Sequence, residues 1–345
     1  MFKNIFFKSL IIGALGVNII FIAQAQEMSS KSLMKDAKEF SVKGQFSKAI
    51  ELYQEIVEKY PESGQAEESL FWLGYSYEAE GNIDQAVSNY DRLLNKFPNS
   101  KFGADALRKK ANILITGNNF KQATEALETL ISKYPKSSYA NEANSELGDI
   151  YGYKLNDFEK ALTSFKRYKV SGQEKAYMDF KLRFFNDNQD FNNEPLKMYC
   201  VGKQQSEENK LEKAEETLKK LIVNYAKSKV VDDALILLGQ NEIAKAMRLH
   251  RNNQLLSAEQ KAVFLKYYKA AADYFNQVIR DYPENDTPAQ AKYSLAKIYD
   301  LDRIGGLNNF ERAIKEYNIV IDEYPGTYWA DRAKQRLEVL EQFSK

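Results

Sequence analysis

EESLFWLGYSYEAEGNIDQAVSNYDRLLNKFPNS, residues 67–100, encodes one complete helical hairpin. Its apolar and small residues fall at Leu70, Leu73, Gly74 and Tyr77, then at Ala86, Tyr90 and Leu93, a helical period in two segments. Gly81 and Asn82 interrupt that period in the middle, and Pro98 stops it at the end. The small residues Gly74 and Ala86 let two antiparallel helices approach closely, with Tyr77 and Tyr90 filling the space beside them.

The pattern continues on both sides. Upstream it passes through Ala37, Phe40, Ala49, Tyr53 and Ile56, with Gly44 at the internal turn; downstream it passes through Leu107, Ala111, Leu114, Ala123, Leu127 and Leu130. Pro61, Pro98 and Pro135 recur at a spacing of 37 residues. Six joints share one formula: YPESGQAEES, FPNSKFGADA, YPKSSYANEA, YAKSKVVDDA, YPENDTPAQA and YPGTYWADRA. Pro cannot continue the preceding helix, and a Ser or Thr shortly after it can cap the next one, Ser137 or Ser138 in the third joint. The aromatic ahead of the Pro is expected to pack back as a plug.

This recurrence resembles the tetratricopeptide repeat (TPR) family. Residues 67–100 carry its signature except for the first-helix Trp, whose place Leu70 takes, with Trp72 nearby. The resemblance implies an all-α TPR superhelical solenoid of about seven helical hairpins plus a C-terminal capping helix. Residues 26–170 would hold four repeats, the fourth through Leu147, Gly148, Tyr151, Ala161 and Phe165 with one extra residue in its turn. Residues 171–195 read as an insertion, one helix over YMDFKLRFF and an irregular loop over NDNQDFNNE, expected to be packed between two halves of the array; the alternative is a protruding aromatic-rich partner site. Residues 196–345 would hold three more repeats, marked by Val201, Gly202, Leu218 and Leu221, by Leu235, Leu238, Gly239, Ala271 and Phe275, and by Leu295, Ala296, Tyr299, Ala313 and Tyr317. The middle one is elongated, with Ser257 and Gln260 forming a capping box at its second arm. Thr327–Lys345 would be a charged helix shielding the open core end from water.

Ahead of the repeats, Lys3 and Lys8 precede an apolar run from Leu10 to Ile22 and the small residues Ala23-Gln24-Ala25, a secretory signal expected to be cut after Ala25. The apolar core is too short to span a bilayer. No Cys stands near that cut, which disfavours a lipid anchor.

The 49 Lys and Arg balance 48 Asp and Glu, and they interleave along helices as solvated faces do, so no basic stripe calls for nucleic acid. His250 and Cys200 are each the single residue of their type, which leaves no set for a zinc site and only a poor one for nucleophilic catalysis. His250 is expected to be solvated and Cys200 to be a buried small residue. Asp300–Glu311 resembles a calcium-binding EF-hand loop, but Ile304 departs at the fifth place, and Asn308, Phe310 and Glu311 recur in GNNFKQA and LNDFEKA, so the repeat itself explains them. TPR-like superhelices also occur in lytic transglycosylases, whose Glu-Ser and Gly-Leu-Met-Gln motifs are missing here. No enzyme activity, metal or cofactor is expected.

By the same resemblance, the second, fifth, ninth and twelfth positions of each first helix line a concave groove. Here they include Glu68, Phe71, Tyr75 and Glu78, then Asp105, Arg108, Asn112 and Ile115, then Ser145, Asp149 and Tyr153. Aromatics mixed with both signs of charge suit an extended or helical peptide. An export signal with joints of this kind resembles bacterial envelope TPR proteins, those of the Tol-Pal system and of the outer-membrane β-barrel assembly machine, without the coiled coil of the first or the lipidated Cys of the second. The implied role is a periplasmic, outer-membrane-associated scaffold with other envelope proteins or peptides as partners, any membrane association running through a complex. The competing expectation is an exported carrier or receptor for a small ligand or glycan, held between the insertion and the tall hairpin.

Overall fold

The computed structural model describes residues 27–170, 173–252, 257–284, 287–300 and 310–343. The leader Met1–Ala25 and the interior of the calcium-like loop, residues 301–309, lie outside the described residues. Among the described residues every regular element is a helix. They form two compact units that divide at Asn144.

The first unit contains α1 (residues 27–42), α2 (Phe46–Lys59), α3 (Gly64–Ala79), α4 (Ile83–Lys96), α5 (Gly103–Thr116), α6 (Phe120–Lys133) and the start of α7 (Ser138–Asp149). Pairs α1/α2, α3/α4 and α5/α6 are the expected hairpins. A Cβ added at Gly74 would stand 2.5 Å from the Tyr90 ring, so the small residue is what lets α3 and α4 touch. Tyr53, Ile56, Leu70, Leu73, Ala86, Tyr90 and Leu93 are fully buried in one continuous core. The internal turns need a left-handed residue, supplied by Gly44 (φ 71°) and Gly81 (φ 78°) and, in the third hairpin, by Asn118 (φ 60°).

The joints hold by more than capping. Ser137 Oγ accepts from the Tyr139 amide and Thr327 Oγ1 from that of Ala330, as expected, but Ser63 turns back and donates to the Tyr60 carbonyl. Ser100 Oγ and the Lys101 amide both bond Glu67, a carboxylate at the start of the preceding first helix. Asp190 does the same for Ser228 and Lys229. The conserved spacing of the formula thus reflects a clamp between consecutive joints as well as a helix start.

The second unit contains the end of α7, a π-helical turn Ile150–Lys154, α8 (Phe158–Arg167), α9 (Gln173–Asp187), α10 (Glu194–Glu207), α11 (Leu211–Asn224), α12 (Val231–Asn252), α13 (Ala258–Asp281), α14 (Thr287–Asp300), α15 (Phe310–Glu323) and α16 (Tyr328–Phe343). The extra residue of the fourth repeat is absorbed by the π turn. The tall hairpin α12/α13 is present, and Ser257 and Gln260 make the expected capping box.

The division between the two compact units lies inside the fourth repeat. Helix α9 is the reason. Phe185 is fully buried and stacks on Phe158 and Phe165 at 5.9 and 5.8 Å, filling the space opposite Gly152, while Lys181 grips Asp149 at 2.6 Å. These contacts draw the end of α7 into the second unit. Two expectations change. His250 is partly buried on α12, with its Nδ1 shielded and unpartnered. Helix α16 is more than a polar cap: Arg336 forms a bidentate pair with the buried Asp300, which also accepts from Tyr317, and Tyr328 and Trp329 pack on Tyr177 and Phe180 of α9 at 5.0 and 6.4 Å.

Candidate partner-binding surface

In the first unit, α3 presents Glu68, Phe71, Tyr75 and Glu78 on one side, at the spacing of a single helical face. Their availability differs. Phe71 is buried, 8% exposed, and stacks on Phe102 at 5.2 Å. Glu68 is held by Lys38 at 2.7 Å and by the Trp72 indole N–H at 3.1 Å. Burial alone would raise its pKa, but these two bonds outweigh it and hold the carboxyl below its ordinary value. Glu78 accepts from Tyr90 at 3.1 Å and pairs with Lys109 at 3.3 Å. Tyr75 stays partly exposed, with Lys109 5.0 Å above its ring and Trp72 and Phe46 at its edges.

On α5, Asp105 accepts from Tyr139 at 2.9 Å, Arg108 and Ile115 are partly exposed, and Asn112 is exposed. On this face Phe71 is buried, Glu68, Tyr75, Glu78, Asp105, Arg108 and Ile115 are partly exposed, and Asn112 is exposed. Sequence spacing assigns a side and not these degrees of exposure.

Asp149 and Tyr153 belong to the second unit, and α9 already sits on them. Lys181, itself buried, bonds both Asp149 oxygens, and Tyr153 packs on Phe184 and Phe185 at 6.1 and 4.8 Å. Burial raises the Asp149 pKa, and Lys181 offsets this only in part. The Asp149 side chain keeps 41% of its surface exposed, but its carboxylate is engaged by Lys181. Where residues 180–188 meet the start of α12, a cavity of about 400 Å³ opens, lined by Phe180, Arg183, Phe184, Asp187, Asn188, Lys229, Asp232, Asp233 and Glu284. A second cavity of about 440 Å³, which sequence reasoning missed, lies among α12, α14 and α16. Its Gln240, Ile243, Tyr293 and Lys297 are the groove positions of the sixth and seventh repeats; applying the groove rule beyond the fourth repeat would have found them.

Cys200 is buried, and burial pushes its thiol up to about 12, which removes it as a nucleophile. Among the described residues no cluster of His, Cys, Asp and Glu could hold a metal ion, and no helix is long and apolar enough to cross a membrane.

Antiparallel hairpins stacked by small-to-aromatic contacts, with side chains of the first helices forming a face, define a repeat protein built for binding. The comparisons agree: residues 26–153 match the family model described as outer membrane lipoprotein (YfiO), and residues 107–238 match a tetratricopeptide repeat model, so the chain carries tetratricopeptide repeats. Both families serve as protein-interaction scaffolds. No curated protein matches the chain. Solved structures similar to it include a tetratricopeptide repeat protein from Parabacteroides merdae, 15% identical over 91% of this chain and 99% of that one, TM-score 0.40. Others are the C-terminal part of a TPR repeat-containing protein from Cytophaga hutchinsonii, 12% identical over 87% and 98%, TM-score 0.34, and the MamA protein, 15% identical over 74% and 96%, TM-score 0.34.

Proposed function

We propose that this protein is a non-catalytic scaffold of the bacterial cell envelope, exported and acting at the outer membrane, that holds a partner polypeptide against the first unit. The observation that carries the reading is the preorganised face of α3 and α5. Glu68, Phe71 and Glu78 are locked by their own neighbours, so binding costs little further ordering, while Tyr75, Arg108 and Asn112 remain exposed enough to meet a peptide. Tyr and Arg are the residue types enriched in binding hot spots. The envelope assignment is supported by the leader pattern of Met1–Ala25 and by the outer membrane lipoprotein match over residues 26–153.

The test is in-cell crosslinking from a photoreactive residue at Tyr75, compared with one at Phe191, which is 51% exposed beside Tyr225. Capture of envelope proteins at Tyr75, reduced about tenfold or more by Arg108→Ala, is expected from the loss of one hot-spot contact. Capture at Phe191 alone would move the working surface to the insertion. A second reading, a small-ligand carrier, is favoured by the cavity at the insertion, whose mixed charges suit a zwitterionic molecule. Saturable binding of such a molecule, lost in Arg183→Ala, is its expected result.

A further inference from the structure

The cavity among α12, α14 and α16 has a different chemistry from the one at the insertion. Two cations, Lys297 and Arg332, line it; no acid does. Neither makes an ion pair among the described residues, whereas Lys245, on α12, pairs with Glu215 and Glu242. The Tyr293, Tyr328 and Trp329 rings form one wall, with Trp329 5.3 Å from Tyr293 and 5.0 Å from Tyr328. The Trp329 indole Nε1 is buried and has no hydrogen-bond partner. The wall is also rigid, because Tyr177 and Phe180 of α9 brace Tyr328 and Trp329 from behind.

From these observations we infer that this cavity is a binding site for a small anionic molecule with a ring-shaped body. The ring lies on the aromatic wall, and the anionic group is met by Arg332 and Lys297. A volume of about 440 Å³ admits a single sugar or benzene-sized ring with its substituents. Two sources share this chemistry, acidic sugars and aromatic acids. The inference is independent of what the first unit binds.

The chain contains two tryptophans, and Trp72 lies in the first unit, so Trp72→Phe leaves Trp329 as the sole indole reporter. Fluorescence of this variant is titrated with D-glucuronate and, separately, with benzoate, with D-glucose as the neutral control. The expected result is a saturable change with one of the two acids and none with glucose, the responding acid identifying the source. Arg332→Ala should weaken binding about tenfold and Lys297→Ala about fivefold, in keeping with loss of one charge-assisted contact each. Both side chains are exposed, so the folded state should survive the changes, with thermal melts as the check. No saturable change with either acid, glucose binding as tightly as glucuronate, or unchanged affinity in the Arg332→Ala/Lys297→Ala double variant would overturn the inference.

Discussion

The inner positions of the two units solve opposite problems. In the first unit the face is internally compensated, Lys38 with Glu68 and Lys109 with Glu78, the Phe71 ring already stacked. In the second, an added helix and a bracing C-terminal helix leave cavities, and Lys297 and Arg332 stand without ion pairs among the described residues. The same repeat grammar thus yields an internally paired face where it is regular, and solvent-open cavities of about 400 and 440 Å³ beside the added helix and the C-terminal one.

Substitution at Phe185 offers the most severe break of this contrast. Truncating that fully buried ring to Ala removes the plug that joins α9 to α7 and α8 and should destabilise the second unit by about 3–5 kcal/mol. Hydrogen exchange should show protection lost in α7–α10 and retained in α2–α5; uniform loss would mean the units do not unfold separately. The counterpart in the first unit is Gly74→Ala, which drives a Cβ into the Tyr90 ring and should cost about 1–3 kcal/mol, read by denaturant titration. A neutral result would show that α3 and α4 can part without penalty.

The smallest effect is one of pH. Glu68 has its folded pKa lowered, so its share of stability is present above the ordinary carboxylate value and is lost as pH falls through the folded value. Asp149 has its folded pKa raised by burial, so it burdens the second unit at neutral pH and that burden is relieved as pH falls through the folded value. As pH falls from neutral toward the ordinary carboxylate value, the Asp149 contribution should therefore favour the second unit while that of Glu68 to the first stays intact; below that value the Glu68 contribution is lost. Melts monitored through Trp329 alone should rise between neutral pH and the carboxylate range, and those monitored through Trp72 alone, each in the Phe variant of the other, should hold there and fall only at lower pH.

Much of the fold was legible because the repeat writes both sides of each contact into the chain. Gly74 and Tyr90, Gly148 and Phe165, and Gly239 and Phe275 are each a small residue and the ring that fills its place. The site was legible only as a side. Spacing put Asp149 and Tyr153 on an inner face, but the apolar spacing of Met178, Phe184 and Phe185 says that α9 buries a stripe without saying which helix receives it. The bracing of α16 was hidden for the same reason: Tyr328 and Trp329 lie far from Tyr177 and Phe180 in sequence, and no local period links them. The joint clamp of Glu67 on Ser100 was missed because the serine already had a sufficient local reason to be there.

The lone cysteine, finally, makes the molecule its own stopwatch. Cys200 is 1% exposed and its thiol is held far from ionisation, so an alkylating reagent in solution finds nothing to react with until the second unit opens. With no other thiol in the chain, every modification event counts one opening. The time course of alkylation, with and without a ligand, would clock how long the second unit stays shut.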